Sequence, residues 1–78
     1  MEKKLSELIP GQRGIIKSVG GDGLLRRRLL DMGVTPGAEV AMRKRAPLGD
    51  PLEVTLRGYE LTLRNAEAEK IIAEVKDA

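Results

Sequence analysis

The strongest constraint on the fold is a strict alternation of apolar and polar residues over residues 52–64. Leucine and valine alternate with Glu53 and Thr55 as far as Arg57-Gly58, and the alternation resumes from Tyr59 onwards. A period of two residues predicts β-strands with one buried face and one wet face. The break at Arg57-Gly58 predicts a tight turn, so this stretch is interpreted as a β-hairpin.

Three more segments have the character of short strands, at residues 14–19, 38–45 and 71–75. In the second of them Val40 and Met42 point inward and alternate with outward-facing neighbours. The first has apolar residues on both faces, which predicts an edge strand or a strongly curved one. Turns are marked by Pro-Gly pairs and by the two prolines of residues 47–51. With the hairpin, the sequence predicts about five strands.

One short helix is predicted after the first of these strands. On a helical wheel, Leu25, Leu29 and Met32 form one narrow apolar stripe. Asp22 suits the N-cap position and Gly33 suits a left-handed C-cap. A helix of about ten residues is marginal alone, so docking of its apolar stripe must stabilise it.

The remaining segments complete an all-β chain with one short helix. Single helical turns are expected at residues 4–9 and 66–69, the second capped by Asn65, and residues 76–78 are expected to fray. Five short strands are best protected when they bend into a closed structure. With 78 residues and a mass of 8.5 kDa, we expect one domain over residues 1–78, a small SH3-like antiparallel β-barrel.

Composition excludes most enzyme and metal chemistries. The chain has no cysteine and no histidine, so thiolate metal sites and the usual general base are missing. The glutamates are expected on wet faces and exposed turns, which is a poor setting for an iron site. We therefore expect no catalytic residue, no metal ligand and no cofactor. No apolar stretch is long enough to span a bilayer and no signal peptide is recognisable, so a cytoplasmic protein is expected.

Two ligand classes, phosphates and nucleic acids, are suggested by the residues before and within the helix. The loop Gly20-Gly21-Asp22-Gly23 precedes three arginines, yet its spacing matches no phosphate-binding motif and Asp22 stands where a phosphate would bind. Binding of RNA by the basic residues is a further alternative. It is disfavoured because single-strand binders use aromatic platforms and this chain has one tyrosine and no other aromatic residue.

The outward side of the helix is the main candidate for function. Arg26, Arg27 and Leu30 point away from the apolar stripe, and arginines beside an exposed leucine are typical of protein interfaces. An ordinary solvated face, with an Arg27–Asp31 pair, explains the same residues. Weaker candidates for partner contact lie elsewhere in the chain and are Arg43, Arg45, Leu48 and Tyr59.

Several motifs are spread over the chain from about Leu5 to Val75. They are Leu8-x-Pro10-Gly11, the glycine loop, Leu25-Arg26-Arg27-Arg28-Leu29-Leu30-Asp31-Met32-Gly33-Val34-Thr35-Pro36-Gly37, Arg45-Ala46-Pro47-Leu48-Gly49-Asp50-Pro51 and Arg57-Gly58-Tyr59-Glu60-Leu61-Thr62-Leu63-Arg64. Taken together, these motifs resemble the FeoA family of bacterial ferrous-iron transport accessory proteins.

The resemblance implies a cytoplasmic SH3-like barrel that acts on FeoB, a membrane iron transporter with a cytosolic GTPase domain. It therefore favours the interface interpretation of the helix, with binding to FeoB and weak self-association as possible contacts. The alternative is a peptide-binding or dimerising module like the C-terminal domains of iron-dependent repressors. Direct membrane insertion and nucleic-acid binding are not expected.

Overall fold

The computed structural model describes residues 1–76 and consists of one curved sheet with short helical segments on it. The six strands are β1 (Glu2–Lys4), β2 (Arg13–Val19), β3 (Glu39–Arg45), β4 (Leu52–Leu56), β5 (Tyr59–Leu63) and β6 (Ile71–Lys76). The helices are α1 (Gly23–Asp31) and α2 (Asn65–Ala68), and a 3-10 turn covers Leu5–Glu7.

All strand pairs in the sheet are antiparallel, in the order β1-β6-β2-β3-β4-β5. The register shifts between Ile16 and Ser18 on β2 and again between Met42 and Lys44 on β3. Such bulges bend a strand and increase its twist. The bulge in β2 also explains its mixed faces, because Ile16 and Val19 are both buried although they differ by an odd number of positions.

A single apolar core fills the concave side of the sheet, and no polar or charged residue among residues 1–76 is fully buried. Leu29 of α1 is 0% exposed within this core. The other core members come from every strand except β1 and from the connecting segments: Leu5, Leu8, Ile16, Val19, Val34, Ala38, Val40, Met42, Leu52, Val54, Leu56, Leu63, Ala68, Ile71, Ala73 and Val75.

The structure confirms the hairpin and the other predicted strands, and it corrects three details. Of the two alternatives for β2, the edge strand is wrong, because β2 lies between β6 and β3, whereas the curved strand agrees with its bulge. β1 is an additional strand that the sequence did not reveal, since Glu2–Lys4 has only charged residues and no alternation. Asn65 is the first residue of α2 rather than its cap, and the Glu67 carboxylate accepts from the Arg64 amide at 2.9 Å instead.

The first and the last strand of the chain, β1 and β6, pair with each other. The ammonium group of Met1 donates to the Glu74 carboxylate, and this hydrogen bond lowers the pKa of Glu74 below its usual value. Lys76 is the last residue of β6, so the rest of the tail predicted to fray lies outside the described residues. No helix within residues 1–76 is long and apolar enough to cross a membrane.

Candidate functional site

Both ends of α1 are fixed by the chemistry that the sequence predicts. The Asp22 carboxylate accepts from the Leu25 amide at 2.8 Å, which confirms the N-cap. At the other end Gly33 has a φ of 95°, and the amides of Gly33 and Val34 donate back to Leu30 and Leu29 at 3.0 Å. This is a Schellman motif, and it leaves the helix in one defined position.

The three successive arginines of α1 have three different surroundings. The Nε atom of Arg26 donates to the Val19 carbonyl at 3.1 Å. Arg28 forms an ion pair with Glu67, whose side chain is only 15% exposed, and so links α1 to α2. Arg27 is exposed and has no ion pair within 4.0 Å among residues 1–76. The pair between Arg27 and Asp31 that a solvated face would form is therefore absent.

A concavity of about 400 Å³ lies on the outer face of α1. It is lined by Gly23, Arg26, Arg27, Leu30 and Asp31. The three residues predicted as the main contact therefore line one surface feature. A second, smaller concavity of about 270 Å³ between β2, β3 and β4 contains none of the predicted site residues, and is lined by Arg13, Glu39, Val40, Ala41, Thr55, Arg57 and Gly58.

Leu30 is less exposed than the sequence predicts. Its side chain is half-buried and packs against the core, together with Leu25 and Met32. A helix on a globular core buries an arc wider than about 100°, and Leu29 at its centre is the residue that is completely buried. Leu30 therefore lies at the border between the core and the concavity, with one side in each.

Leu24 is the exposed leucine of this helix, and sequence reasoning missed it. Its side chain is 84% exposed and lies beside Gly23 at the start of α1. The sequence does contain a sign of this exposure. The residues one helical turn after Leu24 are Arg27 and Arg28, so Leu24 has no apolar neighbour on its own face of the helix.

Arg45 has a structural role that the sequence did not reveal, and its partner contact stays a prediction. Its guanidinium is half-buried and donates to the carbonyls of Ser6 and Leu8, the latter at 3.0 Å, and to the Asn65 amide oxygen at 3.1 Å. Because its guanidinium makes three hydrogen bonds inside the protein, Arg45 is not included in the proposed contact surface.

Leu48 stands at the tip of the loop between β3 and β4 and is 96% exposed. Asn65 binds this loop through two hydrogen bonds of 2.9 Å. Its side-chain amide donates to the Gly49 carbonyl, and its backbone amide donates to the Asp50 carboxylate. The loop is also closed by a bond from the Gly49 amide to the Ala46 carbonyl at 2.7 Å. An exposed apolar side chain thus stands on a loop that these three hydrogen bonds hold.

We expect Asn65→Ala to destabilise the protein by about 1–2 kcal/mol, because the Gly49 carbonyl and Arg45 each lose a hydrogen-bond partner. Urea unfolding measures this loss, and hydrogen exchange of the Gly49 and Ala46 amides should become faster. Glu69→Ala is the control, since Glu69 is exposed and its side chain has no hydrogen bond within residues 1–76. Equal stability of the two variants would contradict the structural role of Asn65.

The last two predicted contact residues, Arg43 and Tyr59, lie on other parts of the surface. Arg43 forms an exposed ion pair with Glu60 of β5 at 3.2 Å. Tyr59 is 44% exposed, and its hydroxyl donates to the Met32 carbonyl at the end of α1. The structure thus joins the hairpin to the helix through Tyr59, and neither residue lines the concavity on α1.

The glycine loop before α1 has a structural role. The Gly20 amide donates to the Lys70 carbonyl at 2.6 Å, and Gly21 has a φ of 98°. The Asp22 carboxylate already accepts a hydrogen bond from an amide in the first turn of the helix. The loop is therefore a connection between β2 and α1. No group of three or more His, Cys, Asp or Glu side chains that could hold a metal ion occurs in the part of the chain that the structure describes.

Comparison with known proteins gives consistent family matches. Residues 3–75 match the FeoA domain family. The chain is 38% identical over 72 residues to the Fe(2+) transport protein A/Fe(2+) transporter FeoB fusion protein of Porphyromonas gingivalis, covering 92% of this chain and 8% of that protein. It thus spans only a small part of that relative, whose name joins an iron transport protein to a transporter.

Solved structures give the same result. The FeoA protein of Chlorobium tepidum is 44% identical with a TM-score of 0.88, covering 96% of this chain and 71% of that one. The zinc complex of Stenotrophomonas maltophilia FeoA, described as a prokaryotic SH3 domain protein, is 31% identical with a TM-score of 0.78, covering 95% and 89%. The SH3-like fold predicted from the sequence is thereby confirmed.

The fold is also shared with a class of regulators. A manganese-dependent transcriptional repressor has a TM-score of 0.88 over 96% of this chain and 41% of its own, at 14% identity. This likeness concerns the fold alone. The family match over residues 3–75, together with structures at 31% and 44% identity, is decisive, and the chain belongs to the FeoA domain family of ferrous-iron transport.

Proposed function

We propose that this chain is a non-enzymatic, cytoplasmic accessory module of ferrous-iron uptake that binds the cytosolic part of a FeoB-type transporter and modulates it. The observation that carries the proposal is the Porphyromonas gingivalis relative, whose name joins the two proteins in a single fusion. Fusion of two units in one chain favours units that work in contact, since it raises their local concentration.

The outer face of α1 is the best-supported contact surface for this partner. It combines an exposed guanidinium at Arg27, an oriented guanidinium at Arg26 and the half-buried Leu30 around one concavity. Arginine is one of the residues that are enriched in binding hot spots. The docking of α1 on Leu29 and its two caps hold these groups rigidly, which lowers the entropic cost of binding.

The test of this surface is Arg27→Glu. We expect binding to the cytosolic part of the FeoB-type transporter from the same organism to weaken by roughly tenfold or more, because the substitution reverses a charge within the proposed contact. The folded protein should not lose stability, since Arg27 has no ion pair within residues 1–76 to break. Titration calorimetry measures binding, and thermal unfolding followed by circular dichroism measures stability.

Arg13→Glu is the matched control, because it makes the same change of charge on an exposed residue of β2, at the end of the strand that does not lead into α1. Its affinity should stay near that of the unmodified chain. If both reversals weaken binding equally, the effect is one of net charge and the α1 surface is wrong. Leu30→Asp is a poorer test, since it places a carboxylate against the core and can lower folding and binding together.

The repressor-like alternative receives no separate support from a specific site. The repressor likeness is at 14% identity, which is evidence about architecture only. Self-association or binding of a proline-rich peptide, without binding to the FeoB-type partner, would revive that alternative.

A further inference from the structure

The two outer strands of the sheet, β1 and β5, differ in how their outer edges are protected. Each ends the strand order, so one side of each has no neighbouring strand among residues 1–76. β1 has only three residues, all of them charged, and the Lys4 amide donates to the Glu7 carboxylate at 2.9 Å. Short length and charge are means by which proteins keep an edge strand from pairing with another chain. The β1 edge is therefore protected.

On β5, the backbone groups of Glu60 and Thr62 point away from the sheet. The Arg57 amide, just after β4, donates to the Glu39 carbonyl at 3.3 Å, so odd-numbered positions here face β3. Because the bonding direction alternates along a strand, the even-numbered positions of β4 bond to β5. These positions are Leu52, Val54 and Leu56, and their partners on β5 are Leu63, Leu61 and Tyr59. The two β5 residues between these partners face outward.

The outward groups of β5 are available for a further strand. The amides and carbonyls of Glu60 and Thr62 form no hydrogen bond within residues 1–76, and both residues are exposed. The strand carries one charged residue and has no proline, glycine or bulge, so it lacks the protection found on β1. Two donors and two acceptors in a row are the pattern to which an added β-strand binds.

The sequence of β5 is complementary to a second copy of itself. When two copies pair antiparallel about a two-fold axis at Leu61, Glu60 of each chain lies opposite Thr62 of the other. Every outward donor and acceptor is then used, which gives four hydrogen bonds between the chains. The two Leu61 side chains, half-buried against their own cores, come together on the axis.

The charges on the opposite face of β5 also fit this pairing. Each Glu60 lies diagonally across from Arg64 of the second copy, and both residues are exposed, so two pairs of opposite charge form between the chains. The two Glu60 carboxylates also approach each other. Arg43, which lies 3.2 Å from Glu60 within each chain, offsets their repulsion.

We propose that two copies of this chain associate through their β5 edges, antiparallel about Leu61, so that the sheet continues from one molecule into the other. The contact is small, with four main-chain hydrogen bonds and one central leucine pair, so the dimer is weak and depends on concentration. None of the β5 residues lines the concavity on α1. This inference therefore does not depend on the proposed function.

The backbone test is Thr62→Pro, which removes the outward amide and no hydrogen bond within residues 1–76. Sedimentation velocity from about 10 μM to about 1 mM should show the unmodified chain moving from monomer towards dimer. The substitution should weaken dimerisation by about tenfold or more, because two of the four hydrogen bonds are lost. Hydrogen exchange of the Glu60 and Thr62 amides in the unmodified chain should become slower as its concentration rises. Urea unfolding checks that the variant stays folded.

A charge exchange tests the same pairing without changing the backbone. Glu60→Arg should weaken dimerisation by about fivefold or more, because both diagonal pairs become like-charged. Adding Arg64→Glu should restore it, since the pairs form again with their signs exchanged. Within one chain these two side chains lie about 13 Å apart along an extended strand, so an intrachain role does not predict rescue. Glu69→Arg, the same change on an exposed residue of α2, should leave the dimer Kd unchanged.

A chain that stays monomeric at about 1 mM would overturn this inference. A dimer whose Kd is unchanged by both Thr62→Pro and Glu60→Arg would overturn it as well, because the chains would then meet elsewhere. If the chain is monomeric alone and its Glu60 and Thr62 amides become protected on adding the cytosolic part of the FeoB-type transporter, the edge pairs with a strand of that partner. Self-pairing would then be wrong.

Discussion

Leu29→Ala should remove about 2–5 kcal/mol from the free energy of unfolding, because it leaves a cavity where a completely buried leucine joins α1 to the sheet. A domain of this length has a total stability of roughly 4–12 kcal/mol, so the loss is a large part of the whole. Urea unfolding should show a lower midpoint with an unchanged m-value. Far-UV circular dichroism is the suitable signal, since the chain has no tryptophan.

The matched control for this change is Leu24→Ala, which truncates a leucine of the same helix that is 84% exposed. It should alter stability by no more than about 0.5 kcal/mol. If the two truncations have equal effects, α1 is not held by Leu29. The proposed contact surface needs a docked α1, so on that proposal Leu29→Ala should also weaken partner binding in proportion to the undocked population.

Gly14→Ala should destabilise the protein by at least about 2 kcal/mol through overpacking. Gly14 pairs with Val75 on one side and Val40 on the other, and β6 crosses it so closely that an added Cβ would collide with the Glu74 carbonyl oxygen and lie 3.2 Å from the Val75 Cα. These are backbone atoms inside a sheet, so they cannot move aside without breaking the ladder. The urea midpoint measures the loss.

Gly23→Ala serves as the control for this prediction, because the same methyl group is added where nothing lies within 4 Å. Stability should then stay constant or rise. A Gly14→Ala variant as stable as this control would show that β2 and β6 can separate at little cost, contrary to the geometry described.

The parts of the fold that were predictable are those encoded by neighbours in sequence. The hairpin of β4 and β5 follows from a local alternation, and its turn is confirmed by positive φ angles of 51° at Arg57 and 89° at Gly58. The cap at Asp22 is likewise local. The bulges in β2 and β3 could not be read in the same way, because a bulge depends on how a strand meets both of its neighbours.

In the candidate site, too, the predictable features are those that depend on residues close in sequence. Arg26 and Arg27 could be placed on one outer face from helical periodicity, and both line the concavity. Arg45 could not be recognised as structural, because its acceptors at Ser6, Leu8 and Asn65 are 20 to 39 positions away in sequence. The apolar stripe predicted for α1 is narrower than the arc that the helix buries. For this reason the sequence predicts an outward Leu30, whereas its side chain is half-buried in the structure.

Tyr59 gives this protein a built-in spectroscopic reporter. It is the sole aromatic residue of the sequence, and its hydroxyl bonds to the Met32 carbonyl where α1 ends. Near-ultraviolet circular dichroism and tyrosine emission therefore come from one ring at the junction of hairpin and helix, with no background from other side chains. A partner that contains neither tryptophan nor tyrosine could be titrated without any label, and a change in that single signal would locate the disturbance at the end of the helix.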